Sequence, residues 1–204
     1  MPQKIIIVRH GETKDNVERR LQGWADTPLN ELGILQAQKV AERLAKELIH
    51  AVYSSDLVRA HKTAFIIAEE LGLQAIKDLS LREHKMGIFE GWQWEKEPDP
   101  VREQLWVERT AAIARDIHWK TIGTESLAEF TTRVRKFTRT IEHKHKNDNV
   151  LLVAHGGTIN RIMEIYGFKK PSEEYFGYLN TSVTILTKTK TSYELLLHND
   201  TSHL

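Results

Sequence analysis

The chain has 204 residues and no cysteine, which excludes disulfides, thiolate nucleophiles, iron–sulfur clusters and cysteine-ligated zinc. Lys and Arg number 29 against 28 Asp and Glu, a formal charge of +1, so whole-molecule charge gives no case for nucleic acid or an anionic membrane as partner. With 40% hydrophobic and 28% charged residues, the length suits one soluble globular domain that buries its own core.

Ile5-Ile6-Ile7-Val8 reads as a short, β-branched buried strand, and four apolar residues are too few for a signal-peptide core. Glu31–Leu48 carries Leu35, Val40, Leu44 and Leu48 among charges, an amphipathic helix. Ala51-Val52-Tyr53 is a short strand. Val58–Leu71 repeats the helical pattern, with Ser55-Asp56 as its expected cap and Gly72 as its stop. Composition shifts between Gly91 and Glu125, where four of the five tryptophans and two of the five prolines fall. That stretch reads as a cap insertion, residues 92–124, on a single domain spanning 1–204. Leu127, Phe130, Val134, Phe137 and Ile141 form a long helical stripe. Val150–Ala154 is a second buried strand, Thr158–Tyr166 a helix ending at Gly167, and Ser182–Thr187 and Tyr193–Leu197 are final strands joined by a polar turn. Alternating strands and helices predict a three-layer α/β/α sandwich with a mostly parallel central sheet. No apolar run approaches the ~20 residues of a membrane span, so a soluble cytoplasmic protein is expected.

Two segments carry the chemistry. Ile7-Val8-Arg9-His10-Gly11-Glu12-Thr13 follows the first strand, and Leu152-Val153-Ala154-His155-Gly156-Gly157-Thr158 follows the strand at Val150. Each runs strand, histidine, glycine, then threonine three residues after the histidine. Ligands of open parallel sheets sit beyond the carboxyl ends of the strands, so both histidines reach that edge and converge if the strands are neighbours. The glycines let backbone N–H groups approach an anion. Arg9 adds a fork suited to phosphate, and the second segment opens a helix whose N-terminus favours negative charge.

Arg9-His10-Gly11-Glu12-Thr13 with Asn16 resembles the signature of the histidine phosphatase superfamily, phosphoglycerate-mutase-like branch. The resemblance continues through Leu21-Gln22-Gly23-Trp24, Thr27-Pro28-Leu29, Ser54-Ser55-Asp56-Leu57 with Arg59-Ala60, Leu81-Arg82-Glu83, and Gly87-Ile88-Phe89-Glu90-Gly91. It ends with Gly123-Thr124-Glu125-Ser126, His155-Gly156-Gly157 and Asn180-Thr181-Ser182. What it implies is a phosphatase of small phosphomonoesters. His10 would take the phosphoryl group as phosphohistidine, its other ring nitrogen held by a partner such as a backbone carbonyl. Arg9, Arg59 and His155 would hold the phosphoryl oxygens, with Asn16, Gln22 and the Gly156 N–H as further donors. Glu83 would be the general acid and then the base, and must begin protonated, a state that partial burial and a substrate dianion both favour. The resemblance implies no metal and no cofactor. It implies a small phosphorylated metabolite as partner, and leaves the oligomeric state between monomer and homodimer.

The remaining histidines are assigned to other roles. His143 and His145 are poor joint metal ligands, His50, His118, His198 and His203 are read as surface residues, and His61 and His84 as bystanders near the motifs. Residues 92–124 hold five basic and six acidic side chains, with no arginine cluster for a second anionic group. That favours a phosphatase over the alternatives: a phosphoglycerate-mutase-type isomerase needs such a cluster, and a non-catalytic phospho-ligand binding module has no use for Glu83. Trp106 and Trp119 are assigned to a core within the cap. Trp92 and Trp94 are assigned to the pocket wall, which suggests leaving groups with a ring or hydrophobic body.

Overall fold

Alternating apolar side chains set the architecture. In β1 (Lys4–Arg9), Ile5 and Ile7 join one buried cluster while Ile6 and Val8 join another on the opposite face of the sheet. β4 (Asn149–Ala154) divides the same way, Val150, Leu152 and Ala154 against Leu151 and Val153. Such two-sided burial marks central parallel strands, and each fully buried Ile or Leu stabilises by roughly 1.5–3 kcal/mol.

The computed structural model describes residues 1–93, 95–113, 122–169 and 177–204. Among these, β2 (Ala51–Ser54), β3 (Ala75–Lys77), β5 (Val183–Lys188) and β6 (Tyr193–Asp200) join β1 and β4 in one six-stranded sheet of order β3-β2-β4-β1-β5-β6. β3, β2, β4 and β1 run parallel, and β5 and β6 add antiparallel pairings.

α1 (Lys14–Val17) is a single turn after β1. α2 (Glu31–Leu44) and α3 (Val58–Glu70) cover one sheet face through Val40, Leu44, Ala64 and Ile67. α4 (Pro100–Ile113) lies in the tryptophan-rich stretch. α5 (Leu127–Lys144) and α6 (Gly156–Ile165) cover the other face through Phe130, Val134, Phe137, Ile159 and Met163. The three-layer α/β/α class and mostly parallel sheet follow. No helix among the described residues is long and apolar enough to cross a membrane.

Local expectations differ in places. α2 ends at Leu44, so Leu48 lies outside it and is exposed. α6 begins two residues early, at Gly156. The three-residue strand β3 carries too short a pattern to be seen in sequence. Ser55-Asp56 does not cap α3. Leu57 occupies that position without a side-chain cap bond, and the Val58 N–H donates instead to Asp26 Oδ1 at 2.6 Å, from a loop 32 residues away.

Candidate active site

β1 and β4 are adjacent and in register, Arg9 opposite Ala154, so the next residue of each strand leaves the sheet at the same point. His10 and His155 therefore meet, their ring centroids 5.1 Å apart. Both are buried. They lie in a cavity of about 490 Å³ that is also lined by Arg9, Asn16, Gln22, Arg59, Glu83, Gly156 and Gly157. Every residue given a catalytic or phosphate-binding role from sequence lines this one pocket.

The His10 turn is fixed from several directions. Gly11 N–H donates to Thr63 Oγ1 at 3.1 Å, and Asn180 Nδ2 donates to His10 O at 3.0 Å. A Cβ on Gly11 would meet the backbone of Gly33 in the first turn of α2, so the turn packs glycine against glycine. His10 Nδ1 lies 2.7 Å from Gly11 O. A carbonyl only accepts, so Nδ1 carries the proton and Nε2 keeps its lone pair. Burial holds the His10 imidazole well below its usual range, and Arg59 and Arg9 push the same way. His155 is lowered for the same reasons, burial first and then Arg59.

The two guanidinium groups are held by carbonyls rather than carboxylates. Arg59 donates to Ala25 O at 2.7 Å and Gly23 O at 2.8 Å, and Arg9 donates to Tyr178 O. Burial pulls Arg59 down to about 10, partly offset by the Glu83 carboxylate. Arg9 Nε, Arg59 Nε, both ring nitrogens of His155 and Gln22 Oε1 are buried without a protein partner. Orphaned buried polar atoms are rare, and the two guanidinium Nε donors and the His155 ring that converge on this cavity suit an anion.

Asn16 uses its Oδ1 to accept from the Thr13 N–H at 3.1 Å and from Asn180 Nδ2 at 3.3 Å, which leaves its amide nitrogen for the pocket. The Glu83 carboxylate accepts from His84 N–H at 2.7 Å and Gly157 N–H at 2.8 Å. A Cβ on Gly157 would overlap Glu83 Oε1, so the second glycine of the pair, expected from sequence to open its N–H to an anion, instead admits the Glu83 carboxylate.

Several assignments change. Trp92 is buried against Phe89 and donates its indole N–H to Glu97 O at 2.9 Å; it packs and does not line the pocket. Trp106, on α4, does line it. Aromatic identity gave no means of telling the two faces apart. Trp94 and Trp119 lie outside the described residues, as does His118. His84 also lines the pocket, its ring stacked on Phe130 at 4.8 Å, whereas His61 bonds Ser54 Oγ at 3.1 Å outside it. His145 is buried between Tyr53 OH, at 2.8 Å, and Asp148, at 2.9 Å. Arg20, unremarked in sequence, lines the pocket mouth but is engaged by Glu18 at 2.7 Å and Glu97 at 2.6 Å. Among the described residues no group of three or more His, Asp or Glu is arranged to hold a metal ion.

Residues 5–201 match the histidine phosphatase superfamily (branch 1). Relatives include phosphoglycerate mutase-like protein 4 of Arabidopsis thaliana, 40% identical over 89% of this chain and 78% of that protein. A metal-independent phosphoserine phosphatase of the same plant is 33% identical over 98% of this chain and 83% of its own length. Among solved structures, a mycobacterial glucosyl-3-phosphoglycerate phosphatase in complex with VO3 is 30% identical, with a TM-score of 0.78 and coverage of 98% of this chain and 100% of that one.

Proposed function

The chain belongs to the histidine phosphatase superfamily, branch 1, and is a phosphoric monoester hydrolase; from that premise we propose that it works without a metal ion, through a phosphohistidine on His10. The observation that carries this reading is the Nδ1–Gly11 O bond that fixes His10 with its Nε2 unengaged, beside His155 and two arginines with unpartnered Nε atoms. His10 Nε2 attacks phosphorus, a P–N bond forms and the ester P–O bond breaks. Arg9, Arg59, His155 and the Gly156 N–H hold the three phosphoryl oxygens as charge develops on them. Asn16 and Gln22 donate beside them. Glu83 gives its proton to the departing oxygen, then takes one from the water that attacks phosphorus; the new P–O bond forms as the P–N bond breaks, releasing phosphate and restoring His10.

The substrate is a small phosphorylated metabolite, and the described part of the pocket favours one with an apolar body. Leu21, Met86, Trp106 and Phe130 line it beyond the histidines. The basic side chains among the described lining residues are Arg9, Arg59 and Arg20, and Arg20 is already neutralised by two carboxylates. A mutase must hold a second anionic group, which this arrangement serves poorly. In this reading residues 92–124 are the cap of a single catalytic domain and roof the leaving-group side.

Rapid-quench labelling with 32P-labelled p-nitrophenyl phosphate tests the mechanism. Label is expected on the protein, stable in alkali, lost in acid and absent in His10→Ala. Phosphate release without trapped label, or label persisting in His10→Ala, overturns it. Isomerisation of 2- or 3-phosphoglycerate without phosphate release overturns the choice of phosphatase over mutase.

A further inference from the structure

The acid Glu83 sits in a loop just after a short 3-10 turn (Leu79–Leu81), not on a strand or helix. Loops are the least rigid places for a group that must meet a leaving oxygen within hydrogen-bond reach. What holds this loop is Arg133, on α5, fifty residues away.

Arg133 spends all five of its N–H donors. Nη1 donates to Ser80 O at 2.9 Å and Arg82 O at 2.7 Å. Nη2 donates to Glu83 O at 2.7 Å and Glu125 Oε2 at 2.8 Å, and Nε donates to Glu125 Oε1 at 2.6 Å. Three carbonyls within four residues, including that of Glu83 itself, are thus tied to one planar group. Glu125 fixes that group from behind through a two-bond pairing with little exposure on either side chain. Thr158 adds a bond to Arg82 O at 2.8 Å and Trp24 one to Glu83 O at 2.7 Å. Arg133 does not line the pocket.

We propose that Arg133, oriented by Glu125, is a positioning residue for leaving-group protonation: it holds the Glu83 backbone where the carboxyl reaches the ester oxygen. A lysine cannot replace it, because a point charge on a flexible stem cannot serve three carbonyls and a carboxylate in one plane. The proposal rests on the reading of Glu83 as the general acid.

The test is kcat/KM for 2,4-dinitrophenyl, p-nitrophenyl, phenyl and benzyl phosphate, because kcat/KM covers the steps through departure of the leaving group. Good leaving groups need no proton; benzyl alcohol does. In Glu83→Gln the loss on benzyl phosphate should exceed that on 2,4-dinitrophenyl phosphate by on the order of 10²-fold or more. Arg133→Met should steepen the series in the same direction, by on the order of 10–10²-fold, as expected for an acid displaced by about an ångström. Arg133→Lys and Glu125→Gln should steepen it less, and they decide the matter if the methionine variant fails to fold. In the Glu83→Gln background Arg133→Met should add no further steepening. A uniform loss across the four esters in folded Arg133 and Glu125 variants, with Glu83→Gln still selective, overturns the role of Arg133. A uniform loss in Glu83→Gln itself overturns instead the reading of Glu83.

Discussion

Gly157→Ala adds one methyl group at the point where α6 meets Glu83. The new Cβ would overlap Glu83 Oε1 and lie 3.0 Å from its Cδ and 3.2 Å from Oε2. Non-bonded heavy atoms settle at about 3.5–4.0 Å, so the carboxylate must withdraw by roughly an ångström. That movement breaks the 2.8 Å bond from the Gly157 N–H. A displacement of about 1 Å at a reacting group costs on the order of 10²-fold, or about 2.7 kcal/mol in activation free energy. Gly157 has no positive φ and alanine suits the first turn of a helix, so the fold should survive. Steady-state kinetics on p-nitrophenyl and benzyl phosphate, beside thermal unfolding, separate the two effects. The expected outcome is a fall in kcat/KM near 10²-fold at unchanged or slightly altered Tm, larger for the benzyl ester. At Gly156 a Cβ meets nothing within 4 Å, so alanine there should act through KM and not through the acid. A folded Gly157→Ala enzyme within about twofold of the parent in kcat/KM would refute the reasoning.

Stability should fall as pH drops below about 6.5, because burial, aided by Arg59 and Arg9, holds folded His10 and His155 well below that value. The unfolded chain then binds protons that the folded chain refuses, up to about 1.4 kcal/mol per pH unit for each histidine. Denaturant unfolding between pH 7.5 and 5.5 should show this slope, reduced in His10→Gln; an equal slope in both proteins would count against it. Asp26→Ala removes the acceptor for the first N–H of α3 and should cost about 1 kcal/mol by denaturant unfolding; no change would mean that water replaces the bond at no cost. Trp106→Ala should narrow the preference for p-nitrophenyl phosphate over glycerol phosphate by about 2–10-fold, the worth of one aromatic contact. An unchanged ratio would remove Trp106 from leaving-group recognition.

The arrival of His10 and His155 at one sheet edge was legible because it depends on a repeated local pattern. Two continuous apolar runs read as central strands, and a histidine followed by glycine leaves each at the same edge; that the two strands are neighbours, so that the histidines meet, is given by the sheet order and not by the pattern. The assignment of Glu83 as the acid rests on its flanking residues, because nothing in Leu81-Arg82-Glu83 alone separates a general acid from a solvated carboxylate. Apart from the backbone carbonyl expected at the second ring nitrogen of His10, the structures that hold these groups were not legible. Arg133 shares a helix with an apolar stripe and reads as one more charge beside it, yet it grips three carbonyls fifty or more residues away. Asp26 caps a helix to which no local motif connects it. Bonds from side chains to distant carbonyls have no sequence period, so periodicity cannot find them.

The +1 whole-chain charge was uninformative for a related reason. Arg59 is buried and Arg9 half-buried, and their hydrogen-bond acceptors are carbonyls, Tyr178 O for Arg9 and Ala25 O and Gly23 O for Arg59. Glu83 faces them, but its hydrogen bonds come from two backbone N–H groups. Had a carboxylate formed an ion pair with each arginine, the field would have closed on itself, as it does where Glu18 and Glu97 surround Arg20. Carbonyl dipoles fix the direction of a guanidinium without cancelling its charge. Two cations held this way leave their positive field open to an anion in the pocket, and the same burial disfavours protonation of the histidines beside them; on the proposed mechanism, that leaves the His10 lone pair free to attack phosphorus.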